Sequence, residues 1–302
     1  MKNKIIAIIF SQVLISIPSF SQIQIVDDEF NNIELNSKLW KTISNSGPNI
    51  NAWTDLNTFK PENVIIENGI LKLLLKYQPD CYDTWQFCNY DSCDGNCTAS
   101  YNDKCSSLPV KCRKVEQEGN NHCLCLVQKH FDYTAGMIIS QNKYLYGTFE
   151  IKCKIPKGSF AAFWLYGECC EEIDVFEFLS DDIKKFTVTV HECEAGNSNQ
   201  AAGGKKHHQK GKDKNIGIDF SQEFHIWKLE WTSDYISVLV DGAEVRRCNR
   251  KGFNSCNPYG LGKSLFPDGP MNVIIGTGAR KNSPSPSAIE VDYVKISEWK
   301  SK

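Results

Sequence analysis

The chain has 302 residues, a formal net charge of −2, and 41% hydrophobic and 11% aromatic residues. That length suits one large domain or two small ones, with ample apolar material for a core. The near-neutral balance excludes a broadly basic, nucleic-acid-binding surface.

The N-terminus reads as an export signal over Met1–Ser21. Lys2 and Lys4 precede the apolar run Ile5–Ile17, Pro18 breaks it, and Ser19-Phe20-Ser21 has a small-x-small cleavage pattern. The run is too short for an ordinary membrane span, and no other span is read. A single domain over residues 22–302 is expected, exported to the extracellular space or the periplasm.

Short alternating segments follow. Ile65–Tyr77 reads as a hairpin around Glu67-Asn68-Gly69. Residues 78–128 are too long for an ordinary loop and hold eight of the fourteen cysteines, from Cys81 to Cys125. An even cysteine count in an exported chain points to a disulfide-stapled insertion. A zinc site using His122 or His130 is the rival reading. In Gly147–Lys157, Phe149, Ile151, Cys153 and Ile155 alternate with Thr148, Glu150, Lys152 and Lys154. Gly196–Asn215 carries five lysines and two histidines and reads as a polar loop, either solvated or on a cleft rim facing an anionic substrate. Trp227, Leu229 and Trp231 alternate with Lys228 and Glu230, and Ile236, Val238 and Val240 precede an Asp241-Gly242 turn. Ile289, Val291 and Tyr293 alternate near the C-terminus. With no long helical period among these segments, the expected fold is all-β, two sheets packed as a sandwich.

The unusual strand is Glu172-Ile173-Asp174-Val175-Phe176-Glu177. Residues i and i+2 share a strand face, so Glu172 and Asp174 point together and Glu177 points away. A β-bulge between Asp174 and Glu177 returns Glu177 to the same face. Two carboxyl groups about 5–5.5 Å apart would then have the spacing of a retaining glycosidase. An acidic strand facing water is the plainer alternative.

This pattern, with its neighbours, resembles glycoside hydrolase family 16, the laminarinase-like retaining β-glycanases. The fragments that carry the resemblance are Asp27–Asn31, Tyr133–Gly136, Tyr146–Glu150, Phe160–Trp164, Glu172–Glu177, His191, Phe224–Gly242, Pro270-Met271 and Val291–Tyr293. The resemblance implies a curved antiparallel jelly roll with a concave substrate cleft. By the same resemblance Glu172 is the nucleophile, Asp174 its assistant and Glu177 the general acid/base. His191 would hydrogen-bond within the carboxylate group, and Trp164 and Phe160 would meet the sugar, with core packing as the other role for Trp164. No catalytic cofactor is implied, but a structural calcium at Glu29, the Gly69 backbone and Asp292 is. The implied function is a secreted, monomeric endo-hydrolase of β-1,3- or β-1,3-1,4-glucan, whose partner is the polysaccharide. Phe160 and Met137 stand where laminarin-cleaving relatives carry Trp and Arg. Those departures and the lysine-rich segment keep open agarose, porphyran or carrageenan as substrate, and a non-catalytic glucan-binding protein is a further alternative.

Overall fold

The computed structural model describes residues 20–42, 56–88, 111–117, 120–167, 171–193, 207–251 and 266–301. Residues 1–19 of the expected export signal lie outside this set, as do Cys169 and Cys170. Strands β1 to β4 cover Phe20–Asp28, Trp40–Lys41, Asn57–Phe59 and Val64–Glu67. Strands β5 to β9 cover Ile70–Cys88, Lys111–Gln117, Asn120–Ala135, Met137–Tyr144 and Gly147–Lys154. Strands β10 to β13 cover Phe160–Tyr166, Glu172–Phe178, Lys185–Cys193 and His207–Asn215. Strands β14 to β18 cover His225–Trp231, Tyr235–Val240, Ala243–Asn249, Met271–Gly278 and Ser287–Ser301.

These strands form two sheets. The smaller runs β13-β12-β11-β10-β17-β8-β2; the larger runs β16-β15-β14-β9-β18-β5-β7-β3, with β1, β4 and β6 attached at its sides. All described pairs are antiparallel except β3 with β7. Apart from one 3-10 turn at Pro61–Asn63, the described residues contain no helix. The all-β sandwich expected from the alternation is therefore what the chain builds.

Alternation explains the core. Trp227, Leu229 and Trp231 on β14 and Phe149, Ile151 and Cys153 on β9 are fully buried. From the smaller sheet, Phe176 and Phe178 of β11 meet them. The Phe176 and Trp227 rings lie 4.6 Å apart and the Phe178 and Phe220 rings 5.5 Å apart. Each aromatic side chain so buried contributes roughly 1.5–3 kcal/mol through removal of apolar surface from water. The hairpin turns fall where expected, with Asn68, Gly69, Asp241 and Gly242 all at positive φ.

Three expectations need correction. First, alternation from Val291 to Tyr293 breaks, because a bulge at Asp292 shifts the register against β9. Val294 and Ile296 then turn inward in place of Tyr293, whose hydroxyl donates to Glu150 at 2.9 Å. Second, the hairpin expected over Ile65–Tyr77 does not end there, since β5 runs on into the cysteine-rich segment as far as Cys88. Strands β5 and β7 run on as a long ribbon, paired as far as Cys88 opposite Cys123, and β6 adds to it. Third, His207–Asn215 is not a loop but the edge strand β13, paired along its length with β12.

Candidate active site

The site is built on the outer face of β11. Along the ladder with β10, Phe163 faces Phe176 and Trp164 faces Asp174, so Val175 is the extra residue. On the other side, Asp174 faces Thr189 and Glu177 faces Thr187, two residues on β11 spanning one on β12. The bulge expected from the charge pattern is present on both ladders. Ile173, Val175, Phe176 and Phe178 fill the core, and Glu172, Asp174 and Glu177 share the opposite face. Strand β12 continues the division, with Val188 and Val190 inward and Thr187, Thr189 and His191 on the acidic face.

These polar groups are withdrawn from water. Asp174 is 3% exposed, Glu177 7% and His191 4%. His191 Nε2 lies 2.8 Å from Asp174 Oδ2, and one ligand-type atom from each of Glu172, Asp174 and His191 lies within 4.8 Å of the others. Burial pushes the Glu177 carboxyl up to about 8, and the Asp174 charge adds to this; His191 and a Thr189 hydrogen bond oppose it. Burial also raises Glu172, again reinforced by Asp174 and opposed by His191. Asp174 is raised by burial, against the pull of the Arg246 guanidinium. His191 is lowered by burial, while Glu172 and Glu177 pull it upward. Carboxyl groups so crowded cannot all ionise cheaply, so the face holds a proton at neutral pH, as an acid catalyst requires.

Beside the acids, β10 presents Ala162, Trp164 and Tyr166 opposite Glu177, Asp174 and Glu172. Trp164 is half-buried, its indole edge close to Gly276 and packed with Met137, Ile139 and Ile274. Phe160 lies on the same face of β10, one step beyond Ala162, and is 6% exposed, about as much as Glu177. Tyr166, 44% exposed beside Glu172, is the open ring that the sequence reading missed. Its i+2 spacing from Trp164 was the available signal.

Strand β13 extends this face. Gly211 and Asp213 pair with Thr189 and Thr187, and Thr187 Oγ1 donates to Asp213 at 2.8 Å. A side chain at Gly211 would press on Thr187 and Thr189 at 3.0–3.2 Å. Lys212 and Lys214 pair with Val188 and Phe186 and belong to the opposite face. Glu171 fixes the start of β11 by accepting the Gly269 amide at 3.1 Å and the Asp268 amide at 3.3 Å.

The calcium set does not fit a hard cation. Asp292 is held by Lys152 at 2.7 Å, while Glu29 sits 3.8 Å from Lys295 and 3.4 Å from the Asn31 amide. An ion there would have to displace two ammonium groups.

Comparison with known proteins agrees with the fold. The model for glycosyl hydrolases family 16 matches residues 89–295, beginning inside the cysteine-rich segment. A beta-glucanase of Acetivibrio thermocellus is 28% identical over 172 residues, covering 55% of this chain and 46% of the relative. A glucan endo-1,3-beta-glucosidase of Cryptopygus antarcticus is 25% identical over 192 residues, covering 56% and 68%. The chain thus spans about half the length of the first of these relatives. Among solved structures, the laminarinase catalytic domain from Thermotoga maritima aligns with TM-score 0.59 and 19% identity over 92% of this chain and 98% of that one. The kappa-carrageenase from Pseudoalteromonas carrageenovora aligns with TM-score 0.63 and 18% identity over 96% and 99%. At such identities the structural likeness speaks for the fold alone. With the family match spanning more than half of its residues, the chain belongs to glycosyl hydrolases family 16.

Proposed function

We propose that this protein is an exported, monomeric, retaining endo-glycoside hydrolase acting on β-1,3- or β-1,3-1,4-linked glucan. The observation that carries the reading is the bulge that puts Glu172, Asp174 and Glu177 on one face, with His191 bonded to Asp174. Glu177, held protonated near neutral pH, delivers its proton to the leaving oxygen. Glu172, in its ionised form, attacks the sugar carbon. Glu177, now ionised, then takes a proton from the water that releases the glycosyl group. Asp174 and His191 hold the charge balance between the two. Trp164 and Tyr166 offer flat apolar faces to the C–H face of a pyranose.

Two observations support the finer points. Cys81, Cys123 and Cys248 are disulfide-bonded, as suits an exported chain. Strand β13 turns Asp213 toward the acids and Lys212 and Lys214 away, which favours an uncharged glucan over a sulfated galactan.

The test is product release by the oxidised protein on laminarin, lichenan, agarose, porphyran and carrageenan, alongside Glu172→Gln. Oligosaccharides from laminarin or lichenan are expected, with the β-anomer formed first and turnover lost by about 10³-fold or more in the variant. Cleavage of an agar-type or sulfated polymer alone moves the substrate, and equal activity in Glu172→Gln overturns the site.

A further inference from the structure

Glu172 sits at the very end of its strand. It is the first residue of β11 and forms the terminal pair on both ladders, with Tyr166 on β10 and His191 on β12. Strand ends open more readily than strand interiors, so an attacking side chain placed there needs support beyond the ladder. Glu171 supplies it twice over. Its carbonyl accepts the Gly167 amide at 2.8 Å, which ties it to the end of β10. Its carboxylate accepts two adjacent backbone amides, that of Asp268 on Oε1 at 3.3 Å and that of Gly269 on Oε2 at 3.1 Å. Paired N–H groups of this kind match the two oxygens of an ionised carboxylate. A side chain at position 269 would collide with Oε2, so only glycine lets the carboxylate in. The tract that offers the amides is itself tied to the larger sheet. The buried Trp231 at the end of β14 donates its indole N–H to the Pro267 carbonyl at 3.1 Å. Arg250, just past β16, reaches Asp268 at 3.5 Å and the Tyr146 hydroxyl at 3.4 Å, and its guanidinium lies 4.7 Å from the centre of the Phe266 ring.

We infer that Glu171 is a positioning residue for Glu172, and that residues 266–269 are the brace through which the larger sheet fixes where Glu172 stands. This rests on Glu172 being the nucleophile proposed above. A nucleophile must be held at a near-attack distance and angle, and a displacement of about 1 Å can cost on the order of 10²-fold in rate. Glu171 is the chain neighbour of Glu172, so a shift of its backbone is passed on directly. The ladder partners of Glu172 both belong to the smaller sheet, and the brace adds a support from the larger one. Without it the end of β11 is free to move, while Trp164 and Tyr166 on β10 keep their places. Turnover then falls and substrate binding is kept. Glutamine is a poor substitute at position 171, because it has one acceptor oxygen and would turn its NH₂ group toward an amide N–H.

The experiment compares the wild type with Glu171→Ala, Gly269→Ala and the double variant. Both kcat and KM are measured on whichever of laminarin and lichenan the wild type cleaves, well below the melting temperature of each protein, and amide hydrogen exchange is followed along β11. In Glu171→Ala, kcat is expected to fall by about 10–100-fold with KM kept within about twofold, and exchange at the start of β11 to quicken. Gly269→Ala leaves Glu171 in place but denies it the amides, and is expected to do the same. The double variant is expected to be no worse than the worse single variant, since both break one contact; losses that multiply overturn the inference. A folded Glu171→Ala with unchanged kcat also overturns it and leaves Glu171 a role in stability alone. Quickened exchange at the start of β11 in a protein that cleaves no glycan leaves the brace standing and removes the catalytic reading. Unchanged exchange in Glu171→Ala overturns the brace whether or not the wild type is active. If Glu171→Ala does not fold, Glu171→Gln takes its place with a smaller expected loss of kcat, and an unchanged kcat there overturns the inference in the same way.

Discussion

The two sheets treat the acidic side chains on their outer faces in opposite ways. On the larger sheet four acids have a basic neighbour: Asp292 has Lys152, Glu290 has Lys154, Glu67 has Lys72, and Glu230 has Lys228. These pairs are solvent-exposed or nearly so, and they hold nothing in tension. On the smaller sheet Glu172, Asp174 and Glu177 lie together, the first half-buried and the other two buried, with His191 bonded to Asp174. Alternation makes both arrangements. What separates them is whether the partner of a carboxylate is a lysine in water or another carboxylate out of it. The first is neutral scaffolding; the second raises proton affinity and makes a group chemically useful.

Three measurements press on that contrast. The largest stability effect belongs to the core side of the acidic strand. Phe178→Ala removes a ring packed against Phe176, Phe186, Phe220 and Trp227. It is expected to lower unfolding free energy by about 3–5 kcal/mol in chemical denaturation. A loss below about 1 kcal/mol would mean that this cluster does not anchor the strand.

The next effect depends on pH. Glu177 is raised from the ordinary 4.5 to about 8 in the folded protein, so it is neutral in both states below the lower value. As pH climbs through that window the unfolded chain ionises first, and the wild type loses stability. Glu177→Gln escapes this. Its melting temperature is expected to gain on the wild type by a few degrees between pH 4.5 and pH 8, with little difference at pH 4. A gain that is flat with pH would show that Glu177 is not held neutral by burial. The smallest effect is on the other sheet. Lys152→Ala breaks the pair with Asp292 and is expected to change stability by no more than about 1 kcal/mol, with kcat unaltered.

Much of this arrangement was legible beforehand. The alternating tryptophans of β14 and the Asn68-Gly69 and Asp241-Gly242 turns are local signals, and the structure keeps them. The bulge was legible because three carboxylates at offsets of two and three can share a face only if one residue is extra. What escaped has a common cause in partners distant along the chain. His207–Asn215 has no apolar residue to mark a strand, and only the ladder to β12 makes it one. Arg246 sits in an ordinary Arg-Arg-Cys run, and its burial follows from β16 lying over β12 of the other sheet. The turn of Tyr293 outward follows from a bulge that β9 reveals and its own segment does not.

The bulge at Val175 also has a consequence for the core. In sequence terms it acts like a phase: residues before it count on one parity and residues after it on the other. Deleting a single residue between Asp174 and Glu177 would restore an unbroken ladder and improve the backbone pairing of β11 locally. Glu177 would keep its face and its place opposite Thr187, and Phe178 would stay inward. What would be lost is one of the two consecutive side chains, Val175 and Phe176, that the strand now sends into the core, together with the local bend. The extra residue thus lets one strand step carry two core side chains without moving either acid.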